Sequence, residues 1–323
     1  MITIVEYDKE QKQITIHENV NWREFHCAPS RLYWWDLFEA THEEIQCLSE
    51  KFHFHPLAIQ DCVGDVHYPK VDFYDTYLYL VIHGVDVDRT ETEGFAPKEL
   101  DVFLGKDYLV TFHKKPARSI DEILRRCKEN APLFEHGLDF LLYAILDILV
   151  SNYLPVLETM EDRLDSIEEV IFEKPDPKVL RQILAIKRTL LRLKKTVFPQ
   201  REVINHLARN EYEFISQKAQ VYFRDIYDML YRLAEMTESF RDISTALVET
   251  YLSTVSNRMN EIMKVLALVT TILMPMTVIT GIYGMNFEHM PELKWWNGYY
   301  MVLGVLVVAG LFMAGLFKWK KWI

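Results

Sequence analysis

The sequence predicts an α/β N-terminal domain, then long stalk helices, then two C-terminal transmembrane helices. Three observations carry this prediction. Two apolar runs without a charged residue lie near the C-terminus, 265–283 (VLALVTTILMPMTVITGIY) and 299–317 (YYMVLGVLVVAGLFMAGLF). Neither Pro nor Gly interrupts the chain between Ala219 and Pro275. Before residue 130, short alternating or β-branched stretches recur, as strands require. These patterns divide the 323 residues into 1–130, 131–264 and 265–323.

In the first region, residues 2–6 and 13–17 alternate like strands. Thr41-His-Glu-Glu44 has the form of a capping box and predicts a helix through Phe52. Pro56 can open a second helix over 57–63. Residues 71–73, 77–85, 100–104 and 108–112 read as strands, with a hairpin turn at Gly105-Lys-Asp107. Residues 86–98 read as a polar loop, and 119–129 as a helix.

From Pro132 the period becomes helical. Residues 138–150 are apolar on most faces and are expected to be buried. Residues 152–173 form an amphipathic acidic helix in which Pro155 is expected to introduce a kink. Lys174-Pro-Asp-Pro177 is a break, followed by a basic helix over 179–199. An acidic helix turning into a basic one suggests an antiparallel hairpin with facing charges; the alternative is two solvated faces. The last long helix shows an apolar stripe at Phe223, Ile226, Leu230, Leu233, Phe240, Ile243 and Leu247. A helix from Ala219 to Tyr283 would be about 100 Å long, far more than a bilayer needs. It is therefore expected to be a stalk whose membrane end is the first span. The simplest partners for its stripe are copies of itself.

Each apolar run has 19 residues, which suits a bilayer-crossing helix. The connecting loop, 284–298, carries Trp295 and Trp296, and Tyr299 and Tyr300 follow it, residue types that favour the membrane–water boundary. Arg258 and Lys264 precede the first run, Lys318, Lys320 and Lys321 follow the second, and the loop has only Lys294. The positive-inside rule then places both termini in the cytoplasm and the loop outside. The net charge of −11 argues against a nucleic-acid partner and is compatible with cations. The four cysteines, Cys27, Cys47, Cys62 and Cys127, all fall in the cytosolic part, where disulfides are not expected. No N-terminal signal peptide is visible, so targeting is expected to rest on the C-terminal spans.

Tyr283-Gly-Met-Asn286, at the outer end of the first of two C-terminal spans, resembles the signature of the CorA family of magnesium transporters. Glu288, Met290-Pro-Glu-Leu293 and the ending Lys-Trp-Lys-Lys-Trp-Ile resemble that family's outer loop and tail. The resemblance covers the whole chain, thinly at the N-terminus and closely from Phe223. It implies a funnel-shaped homo-oligomeric channel, a pentamer, in the cell (inner) membrane. It also implies a magnesium transporter with no organic cofactor, in which cobalt or nickel pass as mimics.

Two spans cannot enclose a pore in one chain, but a ring of copies can. Glu249, Leu252, Ser256, Asn260, Met263, Leu266, Thr270, Met274 and Thr277 recur at helical spacing up to Gly284-Met285-Asn286. The resemblance implies that this face lines the conduit; small polar residues also serve as glue between membrane helices. Magnesium gives up its water reluctantly. Asn286 and the Gly284 carbonyl are therefore expected to hydrogen-bond the hydrated ion, with Gly284 supplying backbone geometry that other residues resist. Glu288 and Glu292 would concentrate cations at the entrance. Met263, Leu266 and Met274 would form apolar rings able to gate by dewetting, with Glu249 an acidic ring below. Nothing charged lies between Val265 and Asn286, which favours passage of a hydrated divalent cation over coordination of a bare one. Lys318, Lys320 and Lys321 would form a basic collar.

The resemblance further implies cytosolic carboxylates at subunit interfaces that bind regulatory magnesium and hold the channel closed. By local motif Asp61 and Asp225 take the main places and Asp147 a secondary one; Gln60 stands where some relatives carry Glu. The competing reading pairs Asp225 with Arg224 or a neighbouring helix and leaves Asp61 on a surface turn. Cys47, His53, His55 and Cys62 fit no common structural zinc spacing. No phosphate loop or Ser-His-Asp arrangement is seen, so no enzymatic activity is expected. The alternatives are a zinc transporter of the same superfamily and a membrane-tethered cytosolic enzyme or scaffold.

Overall fold

A computed structural model describes the chain except for residues 19–24, 65–67, 86–96, 130–131, 174, 211, 287–289, 292–294, 321 and 323, and the side chains of Cys47 and Glu173. It divides into two compact units, Met1–Val248 and Glu249–Ile323.

The first unit is built on a seven-stranded sheet. Its strands are β1 (Ile2–Asp8), β2 (Gln13–Glu18), β3 (Arg31–Phe38), β4 (Lys70–Tyr74), β5 (Tyr77–Gly84), β6 (Lys98–Gly105) and β7 (Tyr108–His113). The order is β2-β1-β3-β7-β6-β5-β4, with only β3 and β7 parallel. Helices α1 (His42–Phe52) and α2 (Pro56–Val63) connect β3 to β4. Thr41 caps α1 with the reciprocal box expected from sequence, and Pro56 opens α2 at its first position. One sheet face packs Trp35, Tyr77, Tyr79, Phe103 and Val110 under these helices, against Ile45, Leu48, Phe54 and Ala58. The other face meets α3 (Arg118–Lys128) and α4 (Leu138–Ser151).

Strand β3 was not expected from sequence. Its six central residues are all buried, so it lacks the polar alternation by which a half-exposed strand is read. Near Pro155, where a kink is expected, one helix gives way to the next. The break comes at Asn152, and Pro155 sits in the first turn of α5 (Tyr153–Glu173), where no intrahelical N–H is lost.

Three long helices complete this unit: α5, α6 (Pro177–Arg209) and the first part of α7 (Gln217–Tyr283). Helix α6 does not end at Pro199; it runs ten residues further. The buried spine continues through Gln200, Ile204 and Leu207, and that packing outweighs the roughly 3 kcal/mol local cost of an interior proline. Each helix buries one row at alternating spacings of three and four. On α5 it is Leu157, Met160, Leu164, Ile167 and Ile171; on α6, Val179, Ile183, Ile186, Leu190, Leu193 and Val197.

On α7 the row is Phe223, Ile226, Leu230, Leu233, Thr237, Phe240, Ser244 and Leu247. The expected stripe was thus wrong at one position: Ile243 is 40% exposed, and Ser244 takes the inner place. The hydroxyls of Thr237 and Ser244 donate to Leu233 O and Phe240 O, each at 2.7 Å, so the buried row leaves neither hydroxyl proton without an acceptor. Copies were the expected partners of the cytosolic stripe, but its contacts are made within the chain, with α4 through Tyr143 and Phe223 and with α6. Lys187 donates to Thr245 Oγ1 at 3.0 Å, Lys194 pairs with Glu238, and the Arg201 guanidinium lies 5.7 Å from the Tyr231 ring centroid. These contacts step evenly along antiparallel helices. The expected facing of acidic α5 against basic α6 is replaced by this apolar row, and the α5 carboxylates Glu158, Glu161, Asp162, Asp165, Glu168 and Glu169 are exposed.

The second unit contains the rest of α7 and helix α8 (Gly298–Trp319). Both are long and apolar enough to cross a membrane. The stretch Leu138–Phe172 also meets that criterion by composition, but its residues belong to α4 and α5, packed within the first unit.

Candidate functional site: an uncovered helix face and a set of carboxylates

The first candidate site is the face of α7 from Glu249 outward. Glu249, Leu252, Ser256, Asn260, Met263, Leu266, Thr270, Met274 and Thr277 are all accessible in the single chain. Helix α8 covers a different face. The less exposed residues are Leu268, Ile272, Pro275, Met276, Ile279 and Tyr283. A Cβ placed on Gly310 of α8 would lie 2.6 Å from Met276 Cε, so the helices approach closely there. At about 100° per residue the two faces are centred roughly 170° apart. The face expected to line a conduit is therefore turned away from α8.

Beyond Glu249 that face offers oxygen without charge. The hydroxyls of Thr270 and Thr277 donate to Leu266 O at 2.8 Å and Leu273 O at 2.9 Å. Their protons are committed to the helix, so the oxygen lone pairs remain as acceptors. Helix α7 closes with Gly284 N donating to Thr280 O at 2.9 Å and Met285 N to Ile282 O at 3.2 Å. Asn286 follows, exposed and outside the helix. The reason expected for Gly284 is corrected: among the described residues only Gly137 is a glycine with positive φ. At Gly284 the constraint is proximity, since an added Cβ would stand 3.2 Å from Thr280 O. The expected entrance acids Glu288 and Glu292 lie outside the described residues, as does Lys321 of the basic tail. Lys318 and Lys320 are at the end of α8, where Lys318 is exposed. The tail then turns back, with Trp322 N donating to Phe317 O at 2.9 Å and the two rings stacked. Sequence reasoning missed this turn, for which no local signal exists.

The second candidate site is cytosolic. Asp225 on α7 is exposed, and among the described residues no ion pair or hydrogen bond involves its side chain. The pairing with Arg224 weighed from sequence is therefore not formed. Asp147 on α4 is brought close to it. Burial, and then the negative charge of Asp225, push the Asp147 carboxyl above its ordinary range, against a smaller opposing pull from Arg126. Tyr143 and Tyr222, with ring centroids 5.1 Å apart, flank the pair.

Asp61 on α2 is held differently. Its Oδ2 accepts from Lys70 Nζ at 2.5 Å, and Lys70 also donates to Asp72 Oδ2 at 2.7 Å. Lys70 was not singled out from sequence, although two residues at i and i+2 of a strand share a face. Among the described residues no group of three or more His, Cys, Asp or Glu is placed to hold a metal ion within one chain. His53 and His55 are helix caps: His53 ends α1 in the left-handed region, and His55 Nδ1 accepts from Leu57 N at 3.2 Å.

The chain as a whole is similar to known proteins. Residues 29–321 match the profile of the family described as CorA-like Mg2+ transporter protein. The chain is similar to the cobalt/magnesium transport protein CorA of Thermotoga maritima, 38% identical over 280 residues, covering 86% of this chain and 80% of that protein. It is 37% identical over 290 residues to the putative metal ion transporter YfjQ of Bacillus subtilis, covering 90% of this chain and 89% of that one. The complete structure of the CorA magnesium transporter from Methanocaldococcus jannaschii superposes with a TM-score of 0.87 at 26% identity, over 100% of this chain and 99% of that one.

Proposed function

Because the chain belongs to the CorA-like Mg2+ transporter family, whose members are membrane ion transporters and not enzymes, we propose that it admits hydrated magnesium to the cytoplasm through a pore lined by α7. The observation that carries this reading is the face of α7, uncharged beyond Glu249, that α8 leaves uncovered and that ends at Asn286. Most of α7 beyond Glu249 is exposed in one chain, which leaves this face open to copies of the chain. A ring of copies, five by family resemblance, puts Thr277, Met274, Thr270, Leu266, Met263, Asn260, Ser256, Leu252 and Glu249 around one axis. Both termini face the cytoplasm, Glu288 and Glu292 gather cations outside, and Lys318, Lys320 and Lys321 form a collar at the inner surface. Cobalt and nickel pass as mimics.

At the mouth, Asn286 amides and Gly284 carbonyls hydrogen-bond water in the ion's first shell. Neutral groups suit this task, because a carboxylate would compete with the water for the metal. Flux follows the membrane potential. Two charges crossing 100 mV change in free energy by about 4.6 kcal/mol, enough to accumulate the ion roughly two thousandfold. Such a driving force needs a brake. Asp61 of one copy and Asp225 of the next, with Asp147 beside Asp225, bind cytosolic magnesium and hold the closed ring together. Without a cation these carboxylates repel one another, so loss of magnesium frees the ring to open.

Proteoliposomes holding a magnesium-sensitive dye test the reading. Influx is expected to rise with an inside-negative potential. It should fall by more than about tenfold in Asn286→Ala, since each copy loses hydrogen bonds worth roughly 1 kcal/mol. Folded, inserted protein that passes no magnesium at any internal concentration would refute it.

A further inference from the structure

We infer that Lys70 sets the magnesium concentration at which the cytosolic site closes the channel, because its ammonium competes with the divalent cation for Asp61. The inference rests on the reading of Asp61 as a regulatory ligand and adds a determinant of that site's affinity.

The two halves of the proposed site are not alike. Asp225 carries no cation of its own among the described residues, and a second carboxylate, Asp147, stands near it. Asp61 already shares an ammonium with Asp72 within its chain. Lys70 opens β4, with its Nζ 2.5 Å from Asp61 Oδ2, 2.7 Å from Asp72 Oδ2 and 5.2 Å from the Tyr79 ring centroid. Strand pairing explains the clamp. Lys70 and Asp72 share one face of β4, and Asp72 lies opposite Tyr79 of β5. The ammonium is thus held over a ring and between two carboxylates.

A magnesium ion approaching Asp61 meets this positive charge first. Either the ammonium yields Asp61 and stays on Asp72, or it remains beside the metal and repels it. Both routes weaken binding. A unit charge about 5 Å from a divalent ion, in a solvent-like dielectric, corresponds to about tenfold in affinity. Asp72 keeps the lysine within reach when Asp61 is taken, so the competition is reversible.

The test uses the full chain in proteoliposomes, with internal magnesium varied and the concentration for half-closure measured. Lys70→Met keeps the stem over Tyr79 and removes the charge, and it is expected to lower that concentration about tenfold. Lys70→Arg retains the charge and should stay within about threefold of the parent. In an Asp61→Asn background the methionine substitution should have no further effect. Magnesium-dependent thermal stabilisation of the same proteins in detergent gives a second readout and shows that each variant folds. If Lys70→Met leaves half-closure unchanged or raises it, while Asp61→Asn disturbs closure, competition is wrong and the regulatory reading stands. If Asp61→Asn leaves closure untouched, the regulatory reading falls and the inference with it.

Discussion

Strand β5 outruns its neighbour β4. The ladder between them stops at the Lys70–Val81 pair, so beyond it the backbone of β5 has no strand partner on that edge among the described residues. Two side chains from the helical bundle supply the missing bonds to His83. Its N–H donates to Gln200 Oε1 of α6 at 3.1 Å, and its carbonyl accepts from the Tyr153 hydroxyl of α5 at 2.6 Å. Tyr153, Gln200 and His83 are all buried. Tyr153→Phe keeps the ring and leaves a buried carbonyl without that donor, at a cost of about 1–3 kcal/mol. For a unit of this size that lowers the apparent midpoint of thermal unfolding by about 2–10 °C. Gln200→Leu strips the N–H of its acceptor and should cost a similar amount. The assay is thermal unfolding of the full chain in detergent, followed by the emission of Trp34 and Trp35, both 0% exposed in the sheet. Tyr222→Phe is the control, because Tyr222 is 45% exposed. A Tyr153→Phe protein that unfolds within about 1 °C of the parent (a shift of less than about half a kcal/mol) would refute the claim that these bonds tie the bundle to the sheet.

Two further outcomes follow from the geometry. Burial alone would pull the His113 imidazole down, but Asp36 outweighs it through a hydrogen bond and its charge, and holds the ring above its ordinary value. Its two nitrogens face acceptors, Asp36 and Lys115 O, which suits the doubly protonated form. This stability is fully present below the unfolded pKa of about 6.5 and is lost as pH rises through the folded one. The unfolding midpoint of the parent relative to His113→Asn should therefore decline with pH above that value; a flat difference would contradict it. At Gly310, the 2.6 Å approach is to the flexible end of Met276. Gly310→Ala should thus retain assembly in size-exclusion chromatography, whereas Gly310→Leu should disrupt it by forcing α7 and α8 apart.

Much of the molecule could be read in advance where one physical signal dominated. Thr41 and Glu44 announced a cap because each satisfies the other's orphan donor. The two apolar C-terminal helices were plain because each is announced by a long charge-free apolar run. Legibility failed where burial erased the pattern or distance carried the information. Strand β3 is covered on both faces, so its sequence does not alternate. Ser244 and Thr237 hide inside an apolar row because their hydroxyls bond the helix that carries them. Ile243 looked like a core residue one step out of register. That α6 lies along the α7 stripe rests on contacts such as Lys187 with Thr245, 58 positions apart, which no local pattern states. Asp147 and Asp225 lie 78 positions apart, and only packing brings their charges together. Lys70 is the instructive omission, since its neighbour Asp72 shares its strand face but Asp61 comes from another element.

The central claim is that the α7 face opposite α8 is the path of the ion. Cysteines placed singly at Thr277, Met274 and Thr270, and at Ile272, Ile279 and Met276 on the α8-facing side, test it in proteoliposomes. Each protein is treated with a bulky charged thiol reagent while potential-driven magnesium influx is recorded. Influx should be blocked for the first three positions and persist for the other three. Block confined to the α8-facing set, or equal on both faces, would contradict the account.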